Sequence, residues 1–194
     1  MKKNALIIAL FATLALLAGC AAPVIITTPA KEPLKDFSRL EIAPMQNQVV
    51  GEINQEVVDK IMTKSIKGII ELKRFSTIGV SERVSLIGSD KDLAMINQAV
   101  IKTDELTNGQ ADRVAMLQVT LLKYKKGSGF LRFLFGALAG GGEVSMDLTV
   151  TNRATQREIL KANTTAQITG SYSSEKDVIL PLSKAIVKFT KENF

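Results

Sequence analysis

The 194-residue chain has no histidine, no tryptophan and a single cysteine, Cys20. Most zinc sites draw on His and Cys, and the common nucleophilic pairs set a Ser or Cys beside a His, so both chemistries lose their usual residues. An intramolecular disulfide is excluded. Tyr124 and Tyr172 are the only tyrosines, which leaves little aromatic surface for stacking on bases and argues against a nucleic-acid partner. Long apolar runs are missing too. The stretches Ala5 to Gly19 and Phe130 to Ala139 both fall short of the roughly 20 residues a transmembrane helix needs, and the second carries Arg132. These absences predict a chain that is not an enzyme and needs no metal or cofactor.

What is present begins with Lys2 and Lys3, followed by the uncharged apolar stretch that ends in "LLAGC". A basic start followed by a short apolar segment has the layout of a secretory signal peptide. Leu17, Ala18 and Gly19 before Cys20 resemble the lipobox of bacterial lipoproteins. That resemblance implies a diacylglyceryl group on the Cys20 thiol, cleavage before Cys20 and an N-acyl chain on the new terminus. Each buried methylene contributes about 0.8 kcal/mol, so two or more chains hold a protein stably at a membrane. Position 21 is Ala, whereas Asp there is the usual inner-membrane retention signal of Gram-negative lipoproteins. The resemblance therefore implies the outer membrane, with the domain facing the periplasm.

With Lys2 and Lys3 removed, 23 basic residues face 19 acidic ones on 175 residues, a net charge of +4. This is mildly basic and enough chain for one domain with its own core. Residues 21–36 hold Pro23, Pro29 and Pro33 and read as an extended tether, so the expected division is signal peptide 1–19, lipidated cysteine and tether 20–36, domain 37–194. A second reading of "VIITT" is an edge strand, since Val24 to Thr28 are mostly β-branched.

Beyond Phe37, the sequence alternates between strand and helix patterns. Leu40 and Ile42 share one face of a strand that Pro44 stops, and Ile53, Val57, Ile61, Ile66, Ile69 and Ile70 recur at helical spacing. "RFSTIGV" reads as a second strand, and a shorter helix capped by Ser89 or Asp90 turns Leu93, Ile96 and Val100 inward. Residues 113–125 are apolar on both faces, as in a central strand. Val144, Met146, Leu148 and Val150 alternate with polar residues, and the next strand places Leu160, Ala162, Ala166 and Ile168 on one face, which makes an antiparallel hairpin. Leu182, Ala185, Ile186 and Phe189 mark a closing helix with Pro181 near its start. The order β-α-β-α-β-β-β-α predicts an α/β (α+β) sandwich with one mixed, largely antiparallel sheet and helices on one face.

Gly127, Arg132, Gly136 and Gly140, followed by the strand pair, resemble the bacterial lipoproteins of domain-of-unknown-function family 4410 over about residues 35 to 190. Leu138 stands where that family usually has glycine, and Asn152 and Gln156 stand where its turn usually carries Asp and Gly. The element order is also similar to periplasmic curli-secretion and penicillin-binding-protein-activator lipoproteins, a likeness of fold only. No catalytic residue is implied by the family.

Several residues invite chemical readings. Ser173 and Lys176 in "SSEK" have Ser-x-x-Lys spacing without its partner motifs and read as a helix cap. Asp90 with Asp92, and Asp104 with Glu105, lack the oxygen-rich loop of a calcium site. Asn163 in "NTT" matches a glycosylation acceptor, which a bacterial lipoprotein does not normally use. Lys123, Lys125 and Lys126 can meet an anionic surface or simply end a strand in water. The segment 130–142 offers Phe130, Phe133 and Phe135 with Arg132, Gly136 and Gly140, either as a surface for self-association or a partner, as a fold-back onto its own domain, or as a membrane contact. The expected function is a lipid-anchored, non-catalytic interaction or assembly module that docks on the membrane and on an envelope protein or itself. The alternative is a carrier of a small apolar ligand or lipid, which requires an apolar pocket of roughly a few hundred Å³ between sheet and helices.

Overall fold

In the computed structural model, residues 23–49, 53–106, 113–125, 142–168 and 175–194 are described. The strands are β1 (Val24–Thr28), β2 (Arg39–Ile42), β3 (Gln46–Asn47), β4 (Thr77–Val80), β5 (Val100–Lys102), β6 (Val114–Lys125), β7 (Gly142–Asn152) and β8 (Glu158–Ile168). The helices are α1 (Gln55–Glu71), α2 (Asp90–Ala99), α3 (Thr103–Leu106) and α4 (Glu175–Asn193), with a 3-10 turn at Leu34–Asp36. The class is α+β, and all eight strands form one mixed sheet in the order β1-β8-β7-β6-β2-β4-β5, with β3 beside β6. The antiparallel ladders β6–β7 and β7–β8 are long, whereas β2, β4 and β5 add short parallel ladders to the other side of β6.

The period-two residues face where their pattern predicts. Leu117, Val119 and Leu121 of β6, Val144, Met146, Leu148 and Val150 of β7, and Leu160, Ala162 and Ala166 of β8 are buried beneath α1 and α4. Those two helices pack against each other and supply Ile61, Ile66, Ile69, Leu182, Ile186 and Phe189 to the same core. Asn54 caps α1 by accepting the Glu56 N–H at 3.1 Å, and Ser89 caps α2 through the Asp92 N–H at 3.2 Å. Helix α1 ends on Lys73, whose φ of 52° is the left-handed turn that releases a chain from a helix.

Three features depart from the expected pattern. Over Val24–Thr28 the chain takes the edge-strand reading: β1 pairs antiparallel with β8, and beyond it the Lys31 N–H donates to the Ile159 carbonyl and Leu34 is buried. Val24 to Thr28 carry no charge, so β-branched residues facing an open ladder gain more from pairing than from extended solvation. Val100 leaves α2 and opens β5 instead of closing the helix. The third is α3, which lies on the face opposite the long helices, with Leu106 over Gly79.

Candidate functional site

Cys20, the lipobox residues Leu17, Ala18 and Gly19, and Phe130, Arg132, Phe133, Phe135, Gly136 and Gly140 all lie outside the described residues. The strands around them nevertheless fix where those segments join the fold. Lys125 is the register partner of Glu143, and Gly142 of Ile168, so segment 126–141 leaves and returns at one end of the sheet. Val24 pairs with Thr164 while Thr28 pairs with Lys161, so β1 begins on the side of that same end and runs away from it. Three residues separate Cys20 from Val24, a reach of about 14 Å. That is close to the four strand positions by which β8 continues past Thr164. At this end Lys123 pairs with Glu143 at 3.2 Å and Lys125 is exposed.

The side chains singled out for chemistry are dispersed. Asp92 meets the Lys67 ammonium at 2.5 Å, and hydrogen bonds from Lys67 and Ser89 lower its pKa, while Asp92 raises that of Lys67. Asp104 and Glu105 sit exposed on α3, away from that pair. Ser173 is outside the described residues, and the backbone of Lys176 lies in the first turn of α4. Among the described residues no group of three or more His, Cys, Asp or Glu side chains could hold a metal ion.

On the sheet face opposite α1 and α4, polar residues form two clusters. The Asn163 amide donates to Asp147 at 3.0 Å and the Lys161 ammonium lies 2.8 Å from the same carboxylate. Partial burial alone raises the Asp147 pKa, but these two donors outweigh it and hold the group below its ordinary value. Further along, Glu41 is buried between Gly79 and Met116 in register, with Arg153 Nε 2.7 Å from Oε2, off the axis of a hydrogen bond. Burial, with a smaller push from Asp104, raises the Glu41 pKa against the opposing pull of the Arg153 guanidinium. Arg39 holds α3 by donating to the Leu106 carbonyl at 3.0 Å. These contacts tie neighbouring strands to one another and α3 to β2.

Two of the cavities are lined by described residues. One of about 470 Å³ touches Glu32, Pro33, Asp36, Phe37 and Arg113. The other, about 660 Å³, is a furrow on the outer side of α1 and α4 with Lys64, Gly68, Leu180, Lys184 and Val187 among its walls. Neither lies between sheet and helices, where Leu40, Ile61, Leu148 and Phe189 are fully buried against their neighbours.

The feature that stands apart is β1. Among the described residues it is one terminus of the sheet, and Ile25 and Ile26 are 63% and 42% exposed. Edge strands are commonly protected by charge or by proline within the strand. Here Pro23 and Pro29 only bracket it. The sequence signal was the charge-free "VIITT" between two prolines; what it lacked was the identity of the strand beside it.

No family model matches the chain and no curated protein matches it, so the likeness to family 4410 rests on the residues quoted above. Among solved structures, the PelC dodecamer from Paraburkholderia phytofirmans is similar at 10% identity over 88% of this chain and 96% of that one, with a TM-score of 0.48. A protein of domain-of-unknown-function family 330 from Xanthomonas campestris matches at 12% identity over 90% and 91%, with a TM-score of 0.46. A lipoprotein from Neisseria meningitidis matches at 10% identity over 78% and 96%, with a TM-score of 0.40. At such identities and TM-scores, nothing of what these proteins do passes to this chain.

Proposed function

We propose that this chain is a bacterial lipoprotein, anchored through acyl chains on Cys20 in the outer membrane, whose domain acts without catalysis or cofactor as a docking or assembly module in the periplasm. The observation that carries the docking reading is the charge-free, open edge of β1 beginning four positions after Cys20. An uncovered strand edge offers a row of unpaired backbone donors and acceptors that a partner strand satisfies. The anchoring reading is supported by the lipobox-like "LAGC" and by the direction in which β1 enters the sheet. With the anchor drawn to one end of the sheet, Lys123 and Lys125 stand where anionic headgroups would meet them, each worth about 1 kcal/mol. The segment carrying Phe130, Phe133 and Phe135 joins the sheet at that end and belongs to the same docking reading.

Growing cells with an alkyne-bearing fatty acid tests the anchor. Wild-type protein is expected to carry the label in the membrane fraction. Cys20→Ala should carry none, leave the membrane or stay unprocessed, and keep the circular dichroism of the domain, because the lipobox and the core share no residues. Processed, unlabelled Cys20→Ala protein retained in the membrane would contradict it.

A further inference from the structure

We infer that the open edge of β1 pairs antiparallel with the β5 edge of a second copy of this chain, head to tail, rather than with β1 of a two-fold mate. The inference rests on the anchored reading above and names its partner. Among the described residues, β1 and β5 are the two termini of the same sheet. β5 runs parallel to β4, β2 and β6, and β6 is antiparallel to β7, β7 to β8 and β8 to β1. Within one chain the two edges therefore point in opposite directions. A neighbour in the same orientation brings its β5 alongside β1 as an antiparallel pair, the pairing with the more stable ladder.

The faces agree as well. Ile25 is in register with Asn163 and Asp147, and Ile101 with Gly79 and Glu41, so both isoleucines lie on the face away from the long helices. Ile26, beside Ala162, and Val100, beside Ile78, lie on the helix side. Setting Ile25 opposite Ile101 places Ile26 opposite Val100, two apolar cross-strand pairs that cover the exposed isoleucines of the edge. Ile25 sits about four positions further along the strand direction than Ile101, near 13 Å. Across the sheet, a strand tilt of about 20° absorbs that step, well inside what closed sheets adopt.

The chain before Val24 decides against two-fold pairing. An antiparallel β1–β1 pair points the two N-termini to opposite ends of the joined sheet. Each Cys20 has only about 14 Å of chain to its strand. Two anchors in one membrane then cannot both be reached from the same end of the sheet. Head-to-tail copies keep every anchor on one side. Because such an interface uses two different surfaces, it continues from copy to copy.

Cysteine pairs read this directly in membranes carrying the full lipidated chain, since the native thiol is consumed by the anchor. Cα atoms opposite each other in an antiparallel ladder fall within disulfide reach. Under mild oxidation, the Ile25→Cys/Ile101→Cys double variant should give a ladder of dimers, trimers and longer species, and each single variant should stay monomeric. A dimer from Ile25→Cys or Ile26→Cys alone would mean two-fold pairing and overturn the inference. No crosslink from that double variant or from Ile26→Cys/Val100→Cys, with fatty-acid label intact, would overturn self-docking while leaving the anchor in place. Loss of label in the wild type would overturn the anchor itself.

Discussion

Glu41 and Asp147 share one face of the sheet, yet their carboxyls are shifted in opposite directions. The folded chain holds Asp147 below its ordinary pKa, so above about pH 4 its pairing with Asn163 and Lys161 contributes stability, which is lost as pH falls through the depressed value. Glu41 is raised, so the folded state binds its proton more readily, and its share of stability declines as pH rises from about 4 through the raised value. In urea titrations from pH 3 to 7, Asp147→Asn should cost at most about 1 kcal/mol near neutrality, since water screens Lys161, and the difference should vanish in acid. Glu41→Gln should lie within about 1 kcal/mol of wild type at neutrality and remove the decline, because the partly exposed Arg153 can turn to solvent. A loss of several kcal/mol at every pH would mean the ion pair locks the sheet. The turn after β7 sets the roles of two of its residues. Asn152 accepts from the N–H groups of Ala154 and Thr155 at 3.0 and 3.1 Å, as an Asp would, whereas Gln156 is forced to φ 57°. Gln156→Gly should therefore raise the unfolding midpoint, by up to about 1 kcal/mol.

At the scale of elements, glycines mark two close approaches. A Cβ on Gly68 would lie 2.5 Å from Val187 Cγ2 on α4, so this glycine permits the contact between the long helices rather than merely weakening α1. Gly68→Ala gains about 1 kcal/mol of helix propensity and meets a stiff β-branched neighbour, and a net loss of about 1 kcal/mol is expected from thermal melts. Gly79→Ala would place its Cβ 2.8 Å from the buried Leu106 Cδ2 and should cost about 1–3 kcal/mol by lifting α3 from the sheet. Equal or greater stability in either variant would show that the helices yield more easily than their packing implies. The long elements were legible in the sequence because their burial follows a single period: alternation in β7 and β8, helical spacing in α1 and α4. The short ones were not. β3 and β5 have two and three residues, too few to display a period, and α3 exists because Gly79 leaves room for Leu106, a contact nothing local announces. The same holds for the candidate site. A charge-free "VIITT" was visible, but its place at a sheet terminus depends on pairing with β8, more than a hundred residues away.

For the whole molecule, the described sheet ends on its two sides in unlike edges, β1 and β5. If Cys20 is lipidated as proposed, such a body would meet its neighbours edge to edge in the plane of a membrane. Phe133→Asp belongs to this scale too: it should leave the domain folded by circular dichroism and reduce crosslinking in cells, and unfolding instead would assign that segment to the core. The central claim, that the lipidated chain docks through the β1 edge, is met most directly by the mass of the full-length protein extracted in mild detergent, measured by light scattering. Wild type is predicted to elute as an assembly and Ile25→Glu/Ile26→Glu as a monomer with unchanged circular dichroism, since both side chains are exposed on the edge strand. A wild type that is monomeric at every concentration, or a charged edge that assembles as before, would contradict the account.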